Sequence, residues 1–370
     1  MALSDVTVKV NLVTSAGIEP VWFPLFFSAS TSDPNLANEI PYTECTSLQQ
    51  LAELIGNVSK EDSMSQRKAK IEQGKSTSLY NNVYHMYMQN EHPNRFAVIN
   101  IGSKSSMADV QSALEPYLDA GWRQLVMVGG FSGSLYISMA DYIENLEQRK
   151  MLFFESGNPS INSVTDSETS EKHSLTDYKR TVAVYHPMCS ANYPVASVIG
   201  AVAGKTPGSI NYRNMIVKGV APVALTEEEL ETLHNNGFMT VVERAGDVVT
   251  SQGKSASGER YIDTIDIEDH VVQQLIYNSQ KALNVNDIVP YNNDGIAILE
   301  NAAVSVMIDC CNKGMIAKTD TNTYEYDVNY PAFSYVPEDD VANRIYKLGT
   351  VSFTVQGAID KEEITVEMTL

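Results

Sequence analysis

The run Phe96-Ala-Val-Ile-Asn-Ile101, then Asp109 to Ala120, then Gln124-Leu-Val-Met-Val128, decides the fold class. The first and last are short, almost unbroken apolar runs, as expected of strands buried on both faces, and the stretch between them reads as a helix. Gly129-Gly130 follows, then a helix over Ile137 to Arg149 and two further short apolar runs, Met151 to Glu155 and Thr181 to Tyr185. Strand and helix alternating in this way predict an open α/β sheet with helices on both faces.

Upstream, Leu48, Leu51, Leu54 and Ile55 share one face of a helix that starts at the cap residues Thr46 and Ser47 and stops at Gly56. Residues 20–45 read as irregular, and 57–78 as a polar loop with a short helix around Gln66 to Glu72. Leu79, Tyr80, Val83, Tyr84, Tyr87 and Met88 have helical spacing, and their aromatic stripe reads as core packing. Downstream, Gly157 to Thr176 is a polar loop, and Tyr193 to Ala203 is a helix of small residues closed by Gly204. Thr226 and Glu229 form a capping box for a helix ending at Asn235-Asn236-Gly237. Phe238 to Glu243 and Asp247 to Thr250 read as a hairpin around Ala245-Gly246. Tyr261 to Ile267 reads as a strand leading into a helix over Glu268 to Leu283, and Gly295 to Lys313 as a further helix. The domain break falls between about residues 204 and 215.

Both ends of the chain alternate strictly. Val6, Val8, Val10 and Leu12 form one apolar face, and Ile364, Val366, Met368 and Leu370 another; Val351, Phe353 and Val355 precede the second. Chain ends fray unless a sheet captures them. Either these strands pair inside their own domain, or they are arms that complete a neighbour's sheet by strand addition.

With 46 acidic and 26 basic side chains the formal net charge is -20, which opposes direct nucleic-acid binding. Hydrophobic residues at 43% exclude a disordered chain. The start of the chain lacks a secretory pattern, and the longest small-apolar run, Val195 to Gly204, is about half of what a bilayer span needs, so membrane anchoring is not expected. Cys45, Cys189, Cys310 and Cys311 contain no C-x-x-C pair and read as reduced and mostly buried.

No motif carries chemistry. Gly204-Lys205-Thr206 resembles the end of a phosphate loop, but residue 199 is Ile199, where that loop needs glycine, and a helix precedes it; it reads as a helix cap and turn. Gly129 to Ser134 sits where an α/β sheet places ligand turns, yet it fits neither G-x-G-x-x-G nor G-x-S-x-G. The six histidines lack metal-ligand spacing. Asp320 to Glu325 starts like a calcium loop and then puts Glu325 where the turn glycine belongs. No cofactor, metal or catalytic residue is expected.

Several segments, in order, resemble the tail sheath family of contractile phages, bacteriocin particles and related injection systems. Tyr193 to Gly204 leads to Thr206-Pro207-Gly208-Ser209, Lys218-Gly219-Val220, the Leu225-Thr226 helix and the strand after Gly237. A second marker runs from Gly253-Lys-Ser-Ala-Ser-Gly258 through Tyr261 and Asp263 to Asp269, with His270 where the family usually has an aromatic residue. Leu48 to Gly56, Leu79 to Met88 and Phe96 to Ile101 are similar to the family's N-terminal half. The resemblance spans about residues 15 to 370.

The resemblance implies an α/β and α+β protein of open mixed sheets flanked by helices, with extended β-strand arms at both termini. Its divisions would be an arm at 1–19, an α/β domain at 20–205, an α+β domain at 206–347 and a strand arm at 348–370. It implies a subunit that stacks as hexameric rings around an inner tail tube protein, meets baseplate and tail terminator proteins, and contracts to drive the tube through a cell envelope. Such a protein assembles in a host bacterial cytoplasm and resides in a virion tail or phage-tail-like particle. The arms would use Val6, Val8, Val10, Leu12, Ile364, Val366, Met368 and Leu370. Two other readings stand beside it: another tail-associated or baseplate structural protein, and an α/β enzyme built on the Gly129–Ser134 turn.

Overall fold

The computed structural model describes residues 22–29, 33, 35, 36, 38–129, 131–161, 163–165, 172–360 and 362. All eight residues proposed for the arms lie outside these, as does Gly130. The described chain begins with β1 (Phe23–Ser28), β2 (Ile40–Cys45), α1 (Leu48–Ile55), α2 (Met64–Lys75) and α3 (Ser78–Tyr87). Next come β3 (Phe96–Asn100), α4 (Met107–Leu114), β4 (Trp122–Val128), α5 (Gly133–Glu144) and β5 (Met151–Ser156). The small hairpin β6 (Ser163–Thr165) and β7 (Lys172–Ser174) precedes β8 (Thr181–Tyr185), α6 (Cys189–Asn192) and α7 (Pro194–Val202). Then follow α8 (Glu227–Asn235), β9 (Phe238–Met239), β10 (Val241–Arg244) and β11 (Asp247–Thr250). The last elements are α9 (Ile262–Val285), α10 (Asn293–Asn312), β12 (Tyr326–Asn329), α11 (Glu338–Ala342) and β13 (Thr350–Phe353).

Seven strands form one mixed sheet in the order β2-β3-β1-β4-β5-β8-β9. All neighbours in it are parallel except β2, which runs antiparallel to β3 along one edge. Alternation along the strands divides the side chains between two cores. Phe26, Phe96, Val98, Val126 and Phe153 pack against α1, α3 and α7 on one face. Leu25, Phe27, Ile99, Leu125 and Phe154 pack against α4 and α5 on the other. The first core also takes in Val241, Ile262 and Ile265, from the chain beyond residue 205. A third, smaller core joins Ile267, Val271 and Leu275 of α9 to Ala303, Val306 and Cys310 of α10, under the two-stranded ribbon of β12 and β13.

Small residues in α7 let it press on α3. A Cβ at Gly200 would stand 2.3 Å from the Met86 carbonyl oxygen, so only glycine permits this approach. The capping box at α8 forms as read: the Thr226 hydroxyl accepts from Glu229 N–H at 3.2 Å, and the Glu229 carboxylate accepts from Thr226 N–H at 2.8 Å. All four cysteines are free, and only Cys189 is not buried.

Four expectations are corrected. Residues 20–45 are not irregular: they hold β1, a fully buried inner strand of the sheet, and β2. Pro24 disguised β1, but it sits at a register shift before pairing with β3 begins, where a missing N–H disturbs little. The segment 57–78 contains a longer helix than expected, α2, whose Ser63–Gln66 capping box starts it earlier. Phe238 to Glu243 is not one hairpin strand: β9 joins the large sheet beside β8, and only β10 pairs with β11. Tyr261 to Ile267 is not a strand but the first turns of α9. There Asp266 and Asp269 occupy buried positions together with Ile262 and Ile265, and counting them restores the helical period.

Candidate functional site

The largest concentration of buried charge lies where α9 crosses the beginnings of β4, β5 and β8. Parallel neighbours all start on the same side of a sheet, roughly 4.8 Å apart. Arg123 near the start of β4, Arg149 just before β5 and Arg180 just before β8 therefore meet. Asp269 of α9, fully buried, accepts from all three. Its Oδ1 accepts from Arg149 Nη1 at 2.7 Å and Arg180 Nη2 at 2.8 Å; its Oδ2 accepts from Arg123 Nη2 at 2.7 Å and Arg180 Nη1 at 2.9 Å. One carboxylate thus fills its acceptor sites from three strands that are distant in sequence.

Electrostatics follow from this packing. Burial alone would raise the Asp269 carboxyl, but Arg123, Arg180 and Arg149 outweigh it and hold it down to about 2. Asp266, one turn earlier, lies 2.7 Å from Arg123 Nη2 and accepts from the Tyr212 hydroxyl at 2.8 Å. Burial dominates there and pushes it up to about 6. Burial also holds His270 down to about 4, so its imidazole is neutral. The Arg123 guanidinium lies 4.5 Å from the centre of the Trp22 ring. A cavity of about 360 Å³ opens beside the cluster, lined in part by Trp22, Gln124, Tyr212, Asp266 and His270. The turn after α7 forms another wall, and Gly208 in it (φ +72°) presses on α9: a Cβ there would meet Ile267 Cγ1 at 2.4 Å.

The segment Gly253 to Asp269 is a docking loop followed by a helix. Lys254 bridges to Tyr261, Ile262 N–H donates to the Gly253 carbonyl at 3.0 Å, and Ala256 N–H donates to the Thr181 carbonyl at 2.8 Å. The loop therefore clips onto the start of β8 and aims α9, with Asp269, at the three arginines. Asp269 was singled out in the sequence; Arg123, Arg149 and Arg180 were not, since their only shared property is position relative to a strand start.

The other motifs fall into structural roles. Ser132 caps α5: its hydroxyl accepts from Leu135 N–H at 3.3 Å and lies 3.0 Å from the Ser134 hydroxyl, while the Tyr136 hydroxyl donates to the Gly129 carbonyl at 2.7 Å. Gly204-Lys205-Thr206 follows the end of α7 as a turn. Thr319 to Thr323 closes a turn bridged by Lys318 and Tyr324. Lys150, pushed down to about 7 by burial, donates to the carbonyls of Ala120 (2.9 Å) and Trp122. No group of three or more His, Cys, Asp or Glu side chains able to hold a metal occurs among the described residues, and none of their helices is long and apolar enough to cross a membrane.

No protein-family model matches the chain, and no curated protein matches it. Solved structures do. A chain of the anti-feeding prophage baseplate superposes with a TM-score of 0.66 at 15% identity, covering 100% of both chains. The contracted sheath complex of an extracellular contractile injection system gives 0.63 at 12% identity, covering 99% of this chain and 98% of that one. The sheath tail protein of Listeria innocua gives 0.57 at 11% identity, covering 85% and 89%. The class that these define is the contractile-tail sheath fold. This chain has that fold; the likeness covers 100% of the chain in the first comparison and 99% in the second.

Proposed function

We propose that the chain is a structural, non-enzymatic subunit of a contractile tail sheath. It polymerises as stacked hexameric rings around an inner tube and contracts to drive the tube through a target envelope. The observation that supports this is likeness, over 99% of this chain and 98% of the other, to the sheath complex of an extracellular contractile injection system. Val6, Val8, Val10, Leu12 and Ile364, Val366, Met368, Leu370 are the arms that add strands to neighbouring subunits. The open edges of the β12–β13 ribbon are one place for such strands. Head-to-tail contacts of this kind are heterologous and propagate as an open helix. Partners are further copies of the chain, the tube protein, and baseplate and terminator proteins, in the tail of a virion or a phage-tail-like particle.

Electron microscopy of the concentrated protein, alone and with the tube protein, tests this. Hollow tubes of uniform diameter with a stacked-ring repeat are expected. Removing residues 1–14 or 361–370 should leave folded monomers that form none. The baseplate likeness favours one second reading, a baseplate structural protein, which would give discrete rings or particles and no tubes even with the tube present.

A further inference from the structure

We propose that the cavity beside the ion cluster binds a small, neutral, hydroxyl-rich ligand, a monosaccharide in size and chemistry. Its volume of about 360 Å³ falls within the range of small-ligand sites, about 300–1,000 Å³. Separate parts of the chain wall it: the loop 92–95 before β3, the start of β4, the turn 203–208 after α7, and α9. A site held by elements this far apart in sequence is pre-formed by the fold, and it stands independently of any assembly role.

The ionic side chains of the wall already have counter-charges. Arg95 donates from Nε to Glu44 Oε2 at 3.0 Å, Lys205 Nζ lies 3.8 Å from Glu91, and Asp266 lies 2.7 Å from Arg123 Nη2. A charged ligand would therefore find no unpaired partner and would have to displace one of these pairs.

What lacks a partner is neutral. Gln124 and His270 line the cavity at 3% and 7% exposure, and neither Gln124 Oε1 nor His270 Nε2 has a hydrogen-bond partner. A buried polar atom left in this way carries its whole desolvation cost, and folds keep such costs at functional sites. Both groups can give or take a hydrogen bond. Rotating the Gln124 amide turns either its oxygen or its nitrogen towards the cavity, and the tautomer of a neutral imidazole decides whether Nε2 donates or accepts. A hydroxyl does both through one oxygen and matches either arrangement. A carboxylate only accepts and an ammonium only donates. Trp22 and Tyr212 add aromatic walls against which the C–H face of a sugar ring can pack.

The test is calorimetric titration of the full chain with glucose, galactose and N-acetylglucosamine, and with glucosamine and gluconate as charged counterparts, alongside thermal melting. One-site binding of at least one neutral sugar is expected, with a melting temperature that climbs with its concentration. The charged counterparts should bind at least tenfold more weakly. Gln124→Met keeps the length of the side chain and removes the amide. It should weaken binding at least tenfold while the ligand-free protein melts at or above the parent's temperature, because an apolar group of similar shape relieves an unpaired polar one. Should that variant fail to fold, His270→Phe removes the second unpaired group and should weaken binding to the same degree. Absence of binding by all three neutral sugars would mean that water alone fills the cavity and would overturn the proposal. Undiminished binding by the variants would place the sugar elsewhere, and tighter binding of a charged counterpart would overturn the neutral class.

Discussion

Asp269 is a buried anion whose value lies in what depends on it. A buried ion pair contributes little net stability, since desolvation offsets attraction, yet removing one partner strands the others and costs about 3–5 kcal/mol. Asp269→Asn would leave Arg123, Arg149 and Arg180 buried without their shared carboxylate, with Asp266 beside Arg123 alone. A loss of about that size in urea unfolding is expected, and an unchanged midpoint would show that water already compensates the arginines. Asp266 gives the opposite pH signature. Its folded value of about 6 lies above the roughly 3.9 of an unfolded aspartate, so its contribution is present below about pH 4 and is lost as pH rises through 6. That amounts to about 2–3 kcal/mol across the window. Asp266→Asn keeps an acceptor for Tyr212, and the parent's urea midpoint should fall relative to the variant's between pH 4 and 6.5, a comparison in which the opposite contribution of His270, held down to about 4, largely cancels. Asp269, held near 2, acts in the window below, where stability is lost as pH drops from about 4 towards 2.

Elements that obey one local rule were legible in the sequence, and elements defined by distant partners were not. α1 and α8 carry their own caps, and β3, β4, β5 and β8 are mostly apolar on both faces because both faces are buried. β1 shares that apolar run, but its proline is harmless only because of a register shift no single segment reveals. The first turns of α9 misled for the converse reason: Asp266 and Asp269 look like solvent positions until three arginines from other strands make them core. The ion cluster was not legible: Asp269 stood out only as the end of a family-like segment, and its arginine partners are scattered along the chain. The close approach of α3 and α7 is a property of the pair, and it is testable. Alanine at Gly200 gains about 1 kcal/mol in helix propensity. Its Cβ would nevertheless overlap the Met86 carbonyl oxygen and Cα, at 2.3 and 2.8 Å, and overpacking of this kind costs about 1–3 kcal/mol. Gly200→Ala is therefore expected to lower the urea midpoint, and a raised midpoint would mean that α3 yields to the added methyl.

At the scale of the whole molecule the governing quantity is the net charge of -20. On the proposed function, each subunit joining a polymer would meet neighbours of the same sign, so long-range repulsion would oppose growth while strand addition by the proposed arms would favour it. The two differ in range. Repulsion between surface charges extends about 30 Å at 0.01 M salt and about 8 Å at 0.15 M, whereas hydrogen bonds between strands act at contact. Salt should therefore weaken the opposing force and leave the favourable one nearly untouched. The expected outcome is that the concentration at which tubes first appear falls severalfold between 0.01 and 0.15 M salt, followed by sedimentation and light scattering. A chain lacking residues 1–14 should stay unassembled at both, because screening removes an obstacle without supplying a contact. A threshold that rises with salt would mean that attraction between opposite charges drives assembly. It would overturn the proposal that the apolar faces of the arms carry assembly.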